Sequence, residues 1–198
     1  MIAAVLLAAG ESRRMGEFKQ LLRLGDKTFV EHCVDNLLAS SIDEVIVVTG
    51  HRESEVRRTI GNRPVKIVHN PEYQSGMASS IMRGVRQVSN SADACVISLV
   101  DQPRIDTAII DRLIESYESG AHESGRSLIV IPTYGKKSGH PILLDLALRE
   151  EILAMDPEIG LRQVVLAYAG AITRVSVSSP VVLEDCDLPE DYERLLKR

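Results

Sequence analysis

The chain has 198 residues, of which 44% are hydrophobic and 26% are charged, values typical of a globular domain and not of a disordered or fibrous protein. Its formal net charge of -5 argues against a protein that binds a nucleic-acid backbone, because such binding needs a basic surface. The three cysteines, Cys33, Cys95 and Cys186, are widely spaced and form no C-x-x-C pair, which indicates free thiols in a reducing cytosol and no disulfide or zinc framework.

The first nine residues are apolar, but they lack a basic leader and run directly into Gly10 and two arginines. The run is too short to span a membrane and lacks the pattern of a signal peptide. It therefore predicts a buried strand. We expect a cytoplasmic protein that binds neither membrane nor nucleic acid.

Short apolar runs alternate with helical patterns along the whole chain. The runs are rich in Val and Ile and nearly continuous, as in parallel strands covered on both faces. Strands are predicted over 3–7, 45–48, 65–68, 94–100 and 127–131, near Ile142 and over 172–177. Helices are predicted over 29–38, 56–60, 81–88, 109–114, 144–154 and 161–166, and from Pro189. This alternation predicts an α/β fold with a doubly wound, mostly parallel sheet in a single domain over residues 1–198.

Ligands of such sheets bind beyond the carboxyl ends of the strands, where the loops converge. Three of these loops carry most of the chemically active residues, namely 9–20, 70–80 and 101–104. They are the candidate site.

The loop after the first strand, within 6–22, combines glycines with basic side chains. Glycines let backbone amides approach phosphate oxygens, while Arg14 and Lys19 offset negative charge through charge-assisted hydrogen bonds. The loop is neither a Walker A loop nor a G-x-G-x-x-G motif, which argues against a kinase or a dinucleotide-binding enzyme. Composition alone indicates a polyphosphate site or, equally, an ordinary basic surface loop.

The run Leu-Ala-Ala-Gly-x-Ser-x-Arg-Met-Gly-x-x-Lys-x-Leu-Leu over 7–22 resembles the signature of the MobA-like nucleotidyltransferases, which attach a nucleoside monophosphate to molybdopterin. The resemblance implies a Rossmann-like nucleotidyltransferase fold and nucleotide contacts from Leu7, Ala8, Ala9 and Gly10. The sequence Ala-Ala-Gly is similar to that of the molybdenum cofactor cytidylyltransferases, whereas guanylyl-transferring members have Ala-Gly-Gly. The resemblance therefore implies CTP.

The second loop places small polar residues before a predicted helix, where Ser79 or Ser80 is expected to cap the helix start. On the residues alone this is a structural feature. The spacing Asn-Pro-x-x-x-x-Gly-Met-x-x-Ser also resembles the second motif of the family. That resemblance implies contacts to the base and ribose from the polar and glycine positions Asn70, Ser75, Gly76, Ser79 and Ser80.

The third loop begins with Asp101, at the carboxyl end of an apolar strand. Magnesium is commonly held by one or two carboxylates, phosphate oxygens and water, although an aspartate at this position is equally often a turn former. The resemblance to the family motif Asp-x-Pro implies that Asp101 binds Mg²⁺. The segment 185–191 resembles the closing motif Asp-x-Asp-x-Pro-Glu-Asp, which implies Asp187 as the second metal ligand, with Asp185 as the alternative.

The glycine- and lysine-rich loop 135–140 predicts a mobile or ligand-facing segment. A lone histidine is more often structural than functional, but the family resemblance implies that His140 lies on the substrate side. The segment 155–162 departs from the family pattern Gly-Asp-x-Gly-Ala-Arg, although Gly160 and Arg162 match it. The identity of the acceptor therefore stays open.

The resemblance implies a Mg²⁺-dependent transfer of CMP from CTP, or of NMP from another NTP, to the phosphate of a pterin acceptor, molybdopterin or the molybdenum cofactor. Asp101 then acts with Arg14 and Lys19, which stabilise the leaving pyrophosphate. A molybdenum hydroxylase that receives the cofactor is an implied partner. Two alternatives remain: transfer to another phosphorylated acceptor, such as a sugar phosphate or methylerythritol phosphate, and a non-catalytic carrier of the molybdenum cofactor.

Overall fold

The computed structural model describes residues 1–120 and 128–197. Within them the helices and strands follow in this order: β1 Ile2–Ala8, β2 Arg23–Leu24, β3 Lys27–Thr28, α1 Phe29–Leu38, β4 Glu44–Thr49, α2 Glu53–Ile60, β5 Lys66–His69, α3 Met77–Val85, β6 Ala94–Leu99, α4 Thr107–Gly120, β7 Ile129–Tyr134, β8 Lys137–Ser138, β9 Ile142–Asp145, α5 Arg149–Leu153, α6 Leu161–Ala167, β10 Ile172–Ser176 and α7 Pro189–Leu196.

One sheet organises the fold, in the strand order β10-β7-β9-β6-β1-β4-β5, with β8 paired to β7. The pairs β1–β4, β1–β6, β4–β5 and β10–β7 are parallel. Strand β9 runs antiparallel between β6 and β7. The predicted α/β fold with a mostly parallel sheet is confirmed, and it is a single-domain fold.

Strand β1 lies in the middle of the sheet, and every residue in it is buried. Its alternate residues point into two apolar cores, with Leu6 on one side and Val5 on the other. Helices α1, α2, α4 and α7 cover the first core, and α3, α5 and α6 cover the second. Because both faces are covered, the buried strands read as continuous apolar runs in the sequence.

Apart from shifted ends, as in α3 and α4, three predicted elements differ from the structure. The helix predicted over 144–154 was wrong at its start, because β9 continues to Asp145 and the helix α5 begins at Arg149; a short apolar run fits strand and helix alike. The strand predicted over 127–131 is β7, which continues past Pro132 to Tyr134, while Ser127 lies outside the described residues. The loop predicted over 135–140 contains β8, which forms a hairpin with β7.

In the described parts of the chain, no helix is both long enough and apolar enough to cross a bilayer.

Candidate active site

The loop after β1 is held in shape by its own polar side chains. Buried Gln20 donates hydrogen bonds from Nε2 to the carbonyl oxygens of Ala8, at 3.1 Å, and Gly10, at 2.9 Å. Ser12 Oγ accepts the Lys19 amide at 3.0 Å and donates to Gln20 Oε1 at 3.3 Å. This network closes the loop around Gly10 and aims the Lys19 side chain towards the sheet.

Lys19 lies between two carboxylates that come from distant parts of the chain. Its Nζ is 3.1 Å from Asp101 Oδ2 and 2.7 Å from Asp187 Oδ1, and only 12% of the side chain is exposed. Burial alone lowers the pKa of Lys19, but the charges of Asp101 and Asp187 outweigh burial and raise that pKa above its ordinary value. The ammonium group of Lys19 is therefore charged. Because it contacts both carboxylates, Asp101 and Asp187 face a single position that a cation can occupy.

The two carboxylates are fixed by the backbone around them. Asp101 follows the end of β6, and its carbonyl oxygen accepts the Cys186 amide at 3.0 Å. Asp191 Oδ2 accepts the amides of Asp187, at 3.0 Å, and Leu188, at 2.8 Å. Burial raises the pKa of Asp187, but the cations of Lys19 and Arg14 outweigh burial and hold it below its usual value. Arg14 reaches Asp187 Oδ2 at 2.6 Å.

The site has an oxygen that suits a divalent cation. Asp101 Oδ1 is buried, and within 1–120 and 128–197 no group donates a hydrogen bond to it. An unsatisfied anionic oxygen is costly to bury and is the type of ligand that Mg²⁺ prefers. The described residues contain no group of three or more His, Cys, Asp or Glu side chains that could hold a metal ion. A cation here would draw its other ligands from phosphate and water.

Asp185, the alternative metal ligand, is engaged elsewhere. Its Oδ1 accepts a hydrogen bond from Gln102 Nε2 at 2.7 Å. Burial, and next the negative charge of Asp101, raise the pKa of the Asp185 carboxyl above its usual value. Asp187, which faces Lys19 and Arg14, is the better placed of the two carboxylates.

A cavity of about 330 Å³ opens between these loops. Nine of the predicted site residues line it: Leu7, Ala9, Gly10, Arg14, Lys19, Gly76, Ser80, Asp101 and Asp187. We name this space the nucleotide cavity after the predicted nucleotide contacts that line it. The three loops that were singled out in the sequence thus share one space.

Three predicted nucleotide contacts, Ala8, Asn70 and Ser79, line neither this cavity nor a second cavity that adjoins it. Buried Asn70 donates from Nδ2 to Ser79 Oγ, at 2.9 Å, and to Ser80 Oγ, at 3.0 Å. The prediction that a serine caps this helix was wrong, because Gly76 is the N-cap and both serines lie inside α3. The direct nucleotide contacts assigned to these three residues stay predictions.

A second cavity, of about 690 Å³, adjoins the first and shares Gly76, Met77 and Leu99 with it. The predicted residues Ser75 and His140 line this second cavity. Burial lowers the pKa of His140, although the negative charges of Asp185 and Asp101 oppose that effect. A mainly neutral imidazole therefore stands between the carboxylates and the second cavity at neutral pH.

Comparison with known proteins decides the family. The model of the MobA-like NTP transferase domain matches residues 4–172. The chain belongs to the MobA-like NTP transferase family. It is thus a nucleotidyltransferase of this family. The matched region ends before Asp187, which nevertheless contacts Lys19 in the folded chain.

Relatives in this family carry different names. Nicotine blue oxidoreductase from Paenarthrobacter nicotinovorans is 28% identical, over 98% of this chain and 96% of that protein. Molybdenum cofactor cytidylyltransferase from Escherichia coli K12 is 26% identical, over 96% of this chain and 93% of that protein.

Solved structures show the same fold. Rv0371c from Mycobacterium tuberculosis H37Rv has a TM-score of 0.85 and 27% identity, over 100% of this chain and 97% of that one. A structure of Rv0371c in complex with manganese has a TM-score of 0.83 and 25% identity, over 99% of this chain and 98% of that one.

Sequence reasoning did not single out several residues that shape the site. Gln20 and Ser12 position Lys19, and Ser12 is already part of the motif that carries the family resemblance. Tyr73 lines the nucleotide cavity. Its side chain packs directly against Gly50, where an added Cβ would lie 2.6 Å from the Cβ of Tyr73. The Gly50 contact joins two loops and has no signature in a single sequence.

Proposed function

We propose that this MobA-like nucleotidyltransferase transfers CMP from CTP to the phosphate of molybdopterin or the molybdenum cofactor and releases pyrophosphate. The observation that carries the proposal is Lys19 Nζ, which lies 3.1 Å from Asp101 and 2.7 Å from Asp187 inside the nucleotide cavity. Such a site concentrates both signs of charge where a metal–triphosphate complex needs them.

The residues of the chain act mainly by position and charge. Asp101 and Asp187 would hold Mg²⁺, which when bound neutralises charge on the reacting phosphates. Lys19 and Arg14 donate hydrogen bonds to the phosphates that leave as pyrophosphate. Nothing lies within 4 Å of the place where a Cβ of Gly10 would stand, so a nucleotide can approach the Gly10 backbone closely. The acceptor phosphate is already anionic, so no general base is needed.

Two further observations support the finer assignments. The second cavity joins the nucleotide cavity at Gly76, Met77 and Leu99, as transfer between two bound substrates requires. The E. coli relative named molybdenum cofactor cytidylyltransferase supports CTP as donor and a pterin acceptor. A molybdenum hydroxylase would then receive the product.

A pyrophosphate-release screen tests the proposal. CTP, GTP and UTP are each combined with molybdopterin, a sugar phosphate or methylerythritol phosphate, with and without Mg²⁺. We expect release only with Mg²⁺ and molybdopterin, and fastest with CTP. Faster release with another acceptor would show that the pterin assignment is wrong. Tight molybdopterin binding without any release would identify a carrier.

A redox function is the second candidate, because a relative of nearly equal length is named an oxidoreductase. This candidate predicts reduction of nicotine blue without CTP or a divalent cation, and it leaves Lys19 and both carboxylates without a role. Assaying the purified protein with nicotine blue and an electron donor, in parallel with the pyrophosphate screen, separates the two candidates.

A further inference from the structure

The second cavity has an aliphatic floor. The floor consists of residues on one face of four neighbouring strands. Residues of α3 and α6 line the opposite side of the cavity. The floor residues are Ile97 and Leu99 of β6, Ile131 of β7, Ile142 of β9 and Ile172 of β10. Such a surface can contact the faces of a flat ring, but it offers no hydrogen bonds to a chain of hydroxyl groups.

Two arginines carry the positive charge of this cavity. Arg162 lies in the first turn of α6, and Arg174 lies on β10 two residues after Ile172, on the same face of the strand. In the portion of the chain that the structure describes, neither guanidinium makes an ion pair or a hydrogen bond, whereas Arg14 and Arg63 are both paired. Glu158 is the one acidic residue in the described lining, and His140 is mainly neutral. The cavity therefore has a net positive charge.

We infer that this cavity binds a flat ring through its apolar faces, that the ring carries a negative group of its own, distinct from the phosphate that attacks the nucleotide, and that Arg162 and Arg174 recognise this group. The inference rests on the proposed function only in identifying the ligand as the acceptor. Guanidinium groups bind carboxylate, sulfonate or phosphate oxygens through paired hydrogen bonds, and aliphatic floors favour ring faces.

The same features select against a sugar phosphate. Hydroxyl groups that lie against Ile131, Ile142 and Ile172 would lose water, and these floor residues offer them no hydrogen bonds, so the unsatisfied groups would cost binding energy. Arg162 and Arg174 thus act as residues that determine specificity, and they need no part in the chemistry.

A matched pair of fluorescent probes tests the inference. 8-Anilinonaphthalene-1-sulfonate carries a sulfonate on two apolar ring systems, and N-phenyl-1-naphthylamine has the same rings without the charge. We expect both probes to bind and the sulfonate to bind about tenfold more tightly.

Four variants locate the binding. The double variant Arg162→Met/Arg174→Met should weaken sulfonate binding about tenfold and leave the neutral probe within about twofold, because only the charge recognition is lost. The double variant to Lys should keep only part of the preference, because it retains the positive charge but loses the paired hydrogen bonds. Arg112→Met is the control, because Arg112 is exposed on α4, which covers the opposite face of the sheet from the second cavity. It should change the affinity of neither probe. Val165→Trp, which fills the cavity from α6, should weaken both probes.

Equal affinity for the two probes, or a preference that survives the double Met variant, would overturn the inference. Binding that Val165→Trp leaves intact would also overturn it, because the probes would then lie elsewhere. CTP-dependent pyrophosphate release is measured on the same samples. Release with no probe preference refutes only this inference, and a probe preference with no release refutes only the proposed reaction.

Discussion

Lys19 contacts carboxylates that lie 82 and 168 positions further along the chain. Its Nζ lies within 3.1 Å of both carboxylates, and removing this ammonium group would leave two partly buried carboxylates without the cation they share. Gln20 and Ser12 fix the loop that carries Lys19. The position of this ammonium group is therefore determined by the backbone and not by its own flexible chain.

Replacing Lys19 should separate catalysis from folding. Lys19→Met removes a donor to the leaving pyrophosphate, so we expect CTP-dependent release to fall about 100-fold, as when a preorganised donor is deleted. Lys66→Met removes the same charge from an exposed position whose Nζ donates to the backbone carbonyl oxygen of Gln87 at 2.9 Å, and its rate should stay within about twofold. Circular dichroism verifies folding. A Lys19→Met rate close to that of the unaltered protein would contradict the role of Lys19.

At the scale of elements, the site depends on close contacts between segments that carry no catalytic group. Gly139, between β8 and β9, packs against the segment 180–183 so closely that a Cβ would lie 2.1 Å from the Val182 carbonyl oxygen. The next residue, His140, donates its amide to that same oxygen at 2.9 Å. The glycine thus lets the chain that leads to Asp187 lie against the sheet.

Two glycine variants isolate this contact. Gly139→Ala forces the two backbone segments apart, so we expect a loss of about 1–3 kcal/mol in the free energy of unfolding and a higher Mg²⁺ concentration for half-maximal pyrophosphate release. Gly170→Ala adds the same methyl group where nothing lies within 4 Å, and it should be neutral or slightly stabilising. Urea denaturation measures both. Equal stability of the two variants would show that the close packing at Gly139 is not required.

An ion-pair network joins α1 to α2. Arg63 donates from Nε to Asp35 Oδ1 at 2.6 Å and caps α2 through the carbonyl oxygens of Thr59 and Ile60. The hydrogen bond from Arg63 is the main reason why the pKa of Asp35 lies below its usual value, and Lys27 adds to the effect. This network holds the helices that cover one side of β1 and β4.

Stability should therefore depend on pH through Asp35. A pKa lowered by folding contributes stability above the unfolded pKa, and that stability is lost as pH falls through the folded pKa. Asp35→Asn should cost about 1 kcal/mol near neutral pH, and the difference from the unaltered protein should disappear as the pH falls below the usual pKa range of an aspartate and through the lowered pKa of Asp35. Thermal melts across this range measure the difference. A constant difference would mean that the substitution acts through packing and not through the loss of charge.

For the whole molecule, the sequence predicted the sheet better than it predicted the site. Continuous apolar runs located β1, β4 and β6 because both faces of these strands are buried, but the run at Leu144 was ambiguous between strand and helix. The family resemblance named Lys19, Asp101 and Asp187, whereas their mutual distances depend on loops anchored by Gln20 and Asp191. The second cavity could not be predicted, because α3, α6 and four strands form it only in the folded chain.

The return of the C-terminal segment to the first loop leads to the last prediction. Asp187→Asn keeps an acceptor for Arg14 but removes the charge that faces the cation position, so we expect the Mg²⁺ concentration for half-maximal pyrophosphate release to rise about tenfold or more. Asp185→Asn is the matched control, because Gln102 already occupies the Oδ1 of Asp185, and its Mg²⁺ requirement should change by less than about twofold. Mn²⁺ binding followed by electron paramagnetic resonance gives a measure that is independent of turnover. If Asp185→Asn weakens Mn²⁺ binding and Asp187→Asn does not, the two aspartates exchange roles, and the metal lies on the side of Asp101 that faces His140.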